Sequence, residues 1–256
     1  VYVDLVSDEL AENSFMAADE YSFRRRQTSA SRLDVTLFVN GIPLVQVETK
    51  SEAQGNTWTK AYSNMKDYEE DEPRMFSTVL LNAVCDGEKF RYASVGADKK
   101  FYFPWRSDSY EEDDYEPEDA TKDLFRPETL MDIFNYFVFF TSKEKIVPRY
   151  MQYYGTNKII ERVRKSNLIN EEFLVQQPGS ITAYRSDNLG LDAVESLPGD
   201  FWKSESEHPW AFPNFDLIDQ PLPRKGLIWH TQGSGKSYTM IFAAYKVKKH
   251  PDIRDR

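Results

Sequence analysis

The chain has 256 residues, a formal net charge of −10, 40% hydrophobic residues and one cysteine. That length allows one or two domains with a real core, and the apolar and aromatic content excludes disorder throughout. Cys85 has no second cysteine to pair with, which excludes a disulfide scaffold and fits a reducing, cytoplasmic setting. The longest apolar stretch, Ile133 to Phe140, is interrupted by Asn135 and is too short to span a bilayer, so no membrane partner is expected.

The acidic balance is local. Residues 108–123 hold nine acids and one lysine, a net of −8, which leaves −2 for the remainder. This run predicts a solvated, flexible loop. Its spacing lacks the ordered ligand loop and Gly turn of a calcium site. Outside it, the charge does not exclude a nucleic-acid partner.

From residue 1 to about 106, short apolar runs alternate with turn signals, as in a mixed α/β unit. Within it, residues 34–50 read as two strands around Asn40-Gly41, a hairpin cue. A loop of residues 40 and 41 alone sets Asp34 opposite Val47 and sends Asp34 and Glu48 to opposite faces. A loop of Asn40-Gly41-Ile42, or an equivalent bulge, sets Asp34 opposite Glu48. Val35, Leu37, Val39, Val45 and Val47 then share an apolar face, and Asp34, Glu48 and Lys50 share the other. The hydrophobic pattern favours this second register, because a one-residue slip mixes the faces.

Two adjacent carboxylates repel unless a cation lies between them. Mg²⁺ takes such hard oxygen ligands, acidifies a bound water and stabilises a pentacovalent phosphate. Lys50 would orient the water or stabilise developing negative charge. Further on, 61–68 predicts a helix on which Asn64 and Tyr68, four residues apart, share a face. Thr78 to Val84 predicts a strand, and Cys85-Asp86-Gly87 a turn to which no chemistry is assigned. Arg24-Arg25-Arg26 reads first as a solvated basic segment.

After the acidic run, Arg126 to about Arg164 carries a helical pattern, with Pro127 in a first-turn position. Residues 176–224 read as a long irregular connection. Gly226 to His230 predicts a short buried strand and Ser237 to Val247 a helix. Between them stands Thr231-Gln232-Gly233-Ser234-Gly235-Lys236-Ser237, the strand–turn–helix setting of a phosphate-binding loop. Its glycines let several N–H groups point at one anion at a helix N-terminus. Lys236 would reach the β- and γ-phosphates of ATP, and Ser237 would ligate Mg²⁺. The strict pattern asks for Gly at position 230, where this chain has His.

The set Asp34…Glu48-Thr49-Lys50 on paired strands resembles the core of the PD-(D/E)xK nuclease fold, though Leu33 stands in place of the naming proline. The string Leu227 to Ser237 resembles motif I of superfamily 2 translocases, most closely that of the endonuclease (R) subunits of type I restriction enzymes. That resemblance covers nearly the whole chain and carries several expectations. The fold would be α/β: a nuclease-like mixed sheet flanked by helices, then the beginning of a RecA-like P-loop motor domain. Residues 1–125 would form the nuclease domain, 126–147 a linker helix and 148–256 the start of the motor. Asp34 and Glu48 would bind Mg²⁺, with Glu20, and Glu9 behind it, as a further acid. Asn64 and Tyr68 match a helix carrying Gln-x-x-x-Tyr, with Asn in the Gln place. Gln152, in Arg149-Tyr150-Met151-Gln152, matches a motif that reads adenine.

By the same resemblance, the substrate would be double-stranded DNA, and the partners a methyltransferase (modification) subunit and a specificity subunit. ATP hydrolysis would drive translocation before cleavage. The chain opens Val-Tyr-Val and only nineteen residues follow Ser237, so it is expected to be part of a longer protein, without the acidic motif and arginines of a complete ATPase site. Two other classes fit the same residues: a nuclease–motor protein of DNA repair or phage defence without a methyltransferase, and an ATP-gated DNA-binding module with an inactive nuclease site.

Overall fold

The computed structural model describes residues 5–23, 31–51, 57–106, 116–142, 144–176 and 233–249, with the backbone alone over 165–176. The chain divides into two compact units, 1–158 with 230–256, and 159–229. The five-stranded sheet belongs to the first. The predicted strand 226–230, Thr231, Gln232 and the arginine run 24–26 lie outside the described residues.

Five strands form one sheet in sequence order: β1 (Phe15–Phe23), β2 (Ser31–Val39), β3 (Ile42–Thr49), β4 (Leu81–Cys85) and β5 (Phe90–Ser94). β3 and β4 are parallel; the other neighbours are antiparallel. The parallel step needs a crossover, and helix α1 (Trp58–Asp71) supplies it. β3 is buried along most of its length, as a central strand covered on both faces must be.

The β2–β3 hairpin turns on Asn40 and Gly41, both with positive φ (51° and 80°). Two such residues fit a two-residue turn whose twist matches its strands. The pairing is Val39↔Ile42 and Phe38↔Pro43 next to the turn, then shifts to Leu37↔Val45 and Val35↔Val47. Leu44 is the extra residue, so the hairpin uses a tight turn and a bulge rather than a three-residue loop. Beyond the bulge the predicted register holds. Val39, Val45 and Val47 enter the main core, with Val35 and Leu37 packed against it.

The first half of the acidic run, 108–115, lies outside the described residues. Its second half forms α2 (Pro117–Phe125), with Pro117 in the first turn and Ala120 and Leu124 buried. Proline and two acids suit a helix start, where N–H groups lack partners. α3 (Pro127–Tyr136) follows, but the helix does not continue to Arg164. Phe139–Phe140 and Lys145–Ile146 pair as a small hairpin, β6 and β7. The run Phe137 to Phe140 suits strand or helix by apolarity alone, and a short apolar run cannot be assigned by periodicity.

α4 (Tyr150–Gln176) and α5 (Lys236–Lys249) complete the described elements. α5 packs on α3 and α4. Lys246, buried on α5, bonds Asp132 on α3 and Asn157 on α4 (2.7 Å), and Asn157 donates to Asp132 at 3.0 Å. Burial lowers the pKa of this ammonium, and Asp132 opposes the shift. The main core is continuous from the sheet residues Val45 and Leu81 through Trp105, Leu124, Ile133 and Phe137 to Phe242 on α5. Among the described residues, no helix is long and apolar enough to cross a membrane.

Candidate active site and nucleotide cleft

Continuing the β2–β3 register one residue past Val35↔Val47 sets Asp34 opposite Glu48. Both carboxylates then face α1. Glu48 is only 1% exposed, at a position where alternation on a central strand turns it inward. Its Oε1 accepts from Lys50 Nζ (2.5 Å) and from Asn64 Nδ2 (2.8 Å). Its Oε2 is buried and has no hydrogen-bond partner. Burial raises the carboxyl pKa, the bonds from Lys50 and Asn64 oppose the rise, and the charge of Asp34 adds to it. Asp34 Oδ2 accepts from Thr49 N (2.8 Å) and Thr49 Oγ1 (3.0 Å), which ties β2 to the end of β3.

α1 delivers the two helix residues expected. Ala61 and Met65 are its buried positions, and Asn64 and Tyr68 fall beside them at three- and four-residue steps. Tyr68 lies in the field of both carboxylates. Burial raises its phenol pKa first, then the charges of Glu48 and Asp34, with Arg32 acting the other way. Asp34, Glu48, Lys50, Asn64 and Tyr68 are therefore brought together.

Glu20 is placed differently. Asp19↔Val35 and Tyr21↔Leu33 set it opposite Asp34, but its backbone is left-handed (φ 48°) and its carboxylate pairs with Arg32 at 3.2 Å on the exposed edge. Such a φ is uncommon for glutamate. Glu9 is exposed before β1, at the start of the 3-10 turn Leu10–Glu12. Among the described residues, no group of three or more His, Cys, Asp or Glu converges on one point. The acid set is a pair. A buried carboxylate oxygen without a partner, beside a second carboxylate, fits a hard cation better than it fits an empty interior.

One positioning residue escaped the sequence reading. Asp86, buried in the turn after β4, accepts from Trp58 N (2.8 Å), Lys89 N (2.8 Å) and Glu88 N (3.2 Å). Thr57 supplies no side-chain cap, so Asp86 caps α1 from 28 residues away. Its neighbour Cys85 accepts from Lys50 N at 2.9 Å. The turn therefore fixes both the strand end that carries Lys50 and the helix that carries Asn64. The sequence signal, an Asp before Gly, says turn but names no distant partner.

The second site lies at the start of α5. Gly233 and Gly235 both have φ 80°, in the left-handed region open to glycine. Ser234 is buried, and its Oγ has no hydrogen-bond partner. Lys236 and Ser237 are exposed at the helix start. Gln152 is buried, and both ends of its amide are engaged. Oε1 accepts from Arg149 N (3.0 Å), and Nε2 donates to Ser234 O (2.9 Å). A cavity of about 440 Å³ opens beside them, lined by Gln152, Gly233, Gly235 and Tyr238 and walled by Phe103 and Arg149. The Arg149 guanidinium lies 3.7 Å from the Phe103 ring centroid. The left-handed glycines and the orphaned Ser234 hydroxyl fit a bound oxyanion.

Comparisons with known proteins agree in order with these two sites. Residues 4–101 match the family model described as type I restriction enzyme R protein N terminus, and residues 151–255 match that of the SWI2/SNF2 ATPase. The type I restriction enzyme HindI endonuclease subunit of Haemophilus influenzae is 26% identical over 95% of this chain and 19% of its own length. The EcoprrI endonuclease subunit of Escherichia coli is 31% identical over 59% of this chain and 50% of its own. A Methanocaldococcus jannaschii sequence named for the restriction enzyme MjaVIIIP is 26% identical over 92% of this chain. The chain spans about a fifth of the length of most of these relatives.

Proposed function

From its kinship with the type I restriction enzyme endonuclease subunits, we propose that this chain is the N-terminal part of an ATP-dependent DNA-translocating endonuclease. In this reading, residues 1–125 are the nuclease, 126–147 the connection and 148–256 the start of a RecA-like motor. The observation that supports the nuclease most directly is the buried, unpartnered Oε2 of Glu48 beside Asp34. Asp34 and Glu48 are the residues that hold Mg²⁺. Glu20 stands opposite Asp34 and joins them only by giving up Arg32.

When bound, the metal supplies an acidified water and charge neutralisation at the phosphate. The chain's own residues do the rest. Asn64 fixes the Glu48 carboxylate, so that Oε2 keeps its aim. Lys50 releases Glu48 to stabilise charge developing on the scissile phosphate. Tyr68 offers its phenolic O–H to the DNA backbone, with burial first and the charges of Glu48 and Asp34 second raising its pKa.

The nucleotide reading rests on the glycines, the Ser234 hydroxyl and the cavity beside Gln152. Gly233 to Gly235 cradle the phosphates of ATP with Lys236, and Ser237 with a second Mg²⁺, while Thr231 and Gln232 precede them. Gln152 turns from Ser234 O toward adenine when the base arrives. The arginines and acidic motif that complete hydrolysis belong to the rest of the motor. Double-stranded DNA is the substrate, and modification and specificity subunits are the partners.

The test is plasmid cleavage by the full-length protein with those subunits, ATP and Mg²⁺, wild type beside Glu48→Ala. The reading requires ATP-dependent linearisation by wild type, none by Glu48→Ala, and equal ATP hydrolysis by both. Equal cutting by both proteins would leave the hairpin face a solvated surface.

A further inference from the structure

The nuclease row extends past Glu48. β3–β4 pairing sets Glu48 beside Val84, and β4–β5 pairing sets Val84 opposite Arg91. Directly paired residues share a sheet face. Arg91 therefore stands on the same face as Glu48, about 10 Å away at two strand spacings.

Its surroundings are unusual for a cation. The Arg91 guanidinium lies 5.1 Å from the centroid of the Trp58 ring, and the Lys99 ammonium 5.4 Å from the same centroid. Arg91 Nε is buried with no hydrogen-bond partner. Among the described residues, no carboxylate pairs with Arg91 or with Lys99. The described acids on the flanking turns are committed elsewhere or exposed. Asp86 takes three backbone N–H groups, Asp98 faces Lys100 at 3.8 Å, and Glu88 is exposed. Two cations gathered on one ring repel each other, and the ring's quadrupole offsets only part of that repulsion. An anion arriving between or above them completes the arrangement. A stacked guanidinium with an unpartnered Nε–H suits a phosphate, and indole beside it suits a polyanion with apolar sugar edges.

We propose that Arg91 and Lys99, held on Trp58, grip the phosphate backbone of duplex DNA next to the bond cut at Glu48. The proposal rests on the nuclease reading for its substrate. It adds a docking surface at the β5 end of the row and gives Asp86 a second consequence, because the Asp86 bond to Trp58 N places the ring as well as the helix.

The experiment uses the full-length protein carrying Glu48→Ala, with its partner subunits and uncut duplex DNA. Lysines are acylated with and without DNA, and the extent at each is read by mass spectrometry. The expected result is several-fold protection of Lys99 by DNA, lost at high salt. Arg91→Gln should lower the slope of log affinity against log salt by about one, the share of one phosphate contact. Equal acylation of Lys99 in both conditions, or an unchanged slope in Arg91→Gln, overturns the proposal. Failure of the underlying reading looks different: Glu48→Ala would then cut DNA as wild type does, whatever Lys99 shows.

Discussion

Asn64 on α1 donates to Glu48 on β3 across 2.8 Å, so the helix and the central strand are joined at the carboxylate proposed to hold the metal. The same Glu48 oxygen also accepts from Lys50, which leaves the other, buried oxygen without a partner. Asn64→Ala should therefore lower DNA cleavage about tenfold, the worth of one hydrogen bond to a charged group. ATP hydrolysis, measured on the same preparation, should be unchanged. Equal cleavage by Asn64→Ala would show that Lys50 alone fixes the carboxylate.

The raised carboxyl pKa of Glu48 gives a pH signature. Burial makes the folded state hold this proton more tightly than the unfolded chain does. The cost of the buried charge is absent below the ordinary carboxylate range of about 4.3 and grows as pH rises through the shifted value. Mg²⁺ bound at Glu48 cancels that cost. Thermal unfolding should show a stabilisation by Mg²⁺ that is present at neutral pH, falls away toward pH 4, and is absent in Glu48→Gln. A Mg²⁺ effect equal in both proteins would place the ion elsewhere.

Asp86 should matter to both stability and cleavage, since it accepts three backbone N–H groups while buried. Asp86→Ala leaves those donors unsatisfied, at a cost of about 1–3 kcal/mol. Denaturant unfolding should register that loss. Cleavage should fall further than stability accounts for at permissive temperature, because the start of α1 moves. Asp86→Asn, which keeps one acceptor, should recover part of both.

At the proposed nucleotide cleft, a Cβ added at Gly235 would collide with Gln152 Nε2, and its φ of 80° disfavours any side chain. Gly235→Ala should weaken binding of a fluorescent ATP analogue by at least about tenfold, the equivalent of 1.4 kcal/mol. Gln152→Ala removes the collision but not the backbone strain, so Gly235→Ala should cost less affinity when added to Gln152→Ala than when added to wild type. An equal cost in both backgrounds would assign the whole effect to backbone conformation.

Much of the candidate site was legible because strand side chains alternate with period two. Val35, Leu37, Val45 and Val47 could share a face only in the register that also sets Asp34 opposite Glu48. The route to that register was not legible, because a three-residue loop and a two-residue turn with a bulge at Leu44 give the same pairing beyond it. Asp86 was invisible for another reason: its partner Trp58 N is remote in sequence and is a backbone group that any residue carries. The left-handed backbone at Glu20 has no sequence marker either, since glycine would normally occupy such a φ. The hairpin at 139–146 was lost because Phe-Val-Phe-Phe satisfies a helix and a strand equally.

A chain of aromatic rings runs from Tyr92 on β5 to Trp105 (5.5 Å), Tyr153 (5.3 Å), Phe137 (5.0 Å) and Phe242 on α5 (5.2 Å). Sheet and α5 thus share one aromatic interior, with the Lys246–Asp132–Asn157 bonds holding α5 beside it. Grafting experiments inherit a constraint from this. A nuclease cassette exchanged between relatives at the acidic run would carry half of a shared interior and meet a foreign other half. Successful chimaeras should be those that move Tyr92, Trp105, Phe137, Tyr153 and Phe242 together.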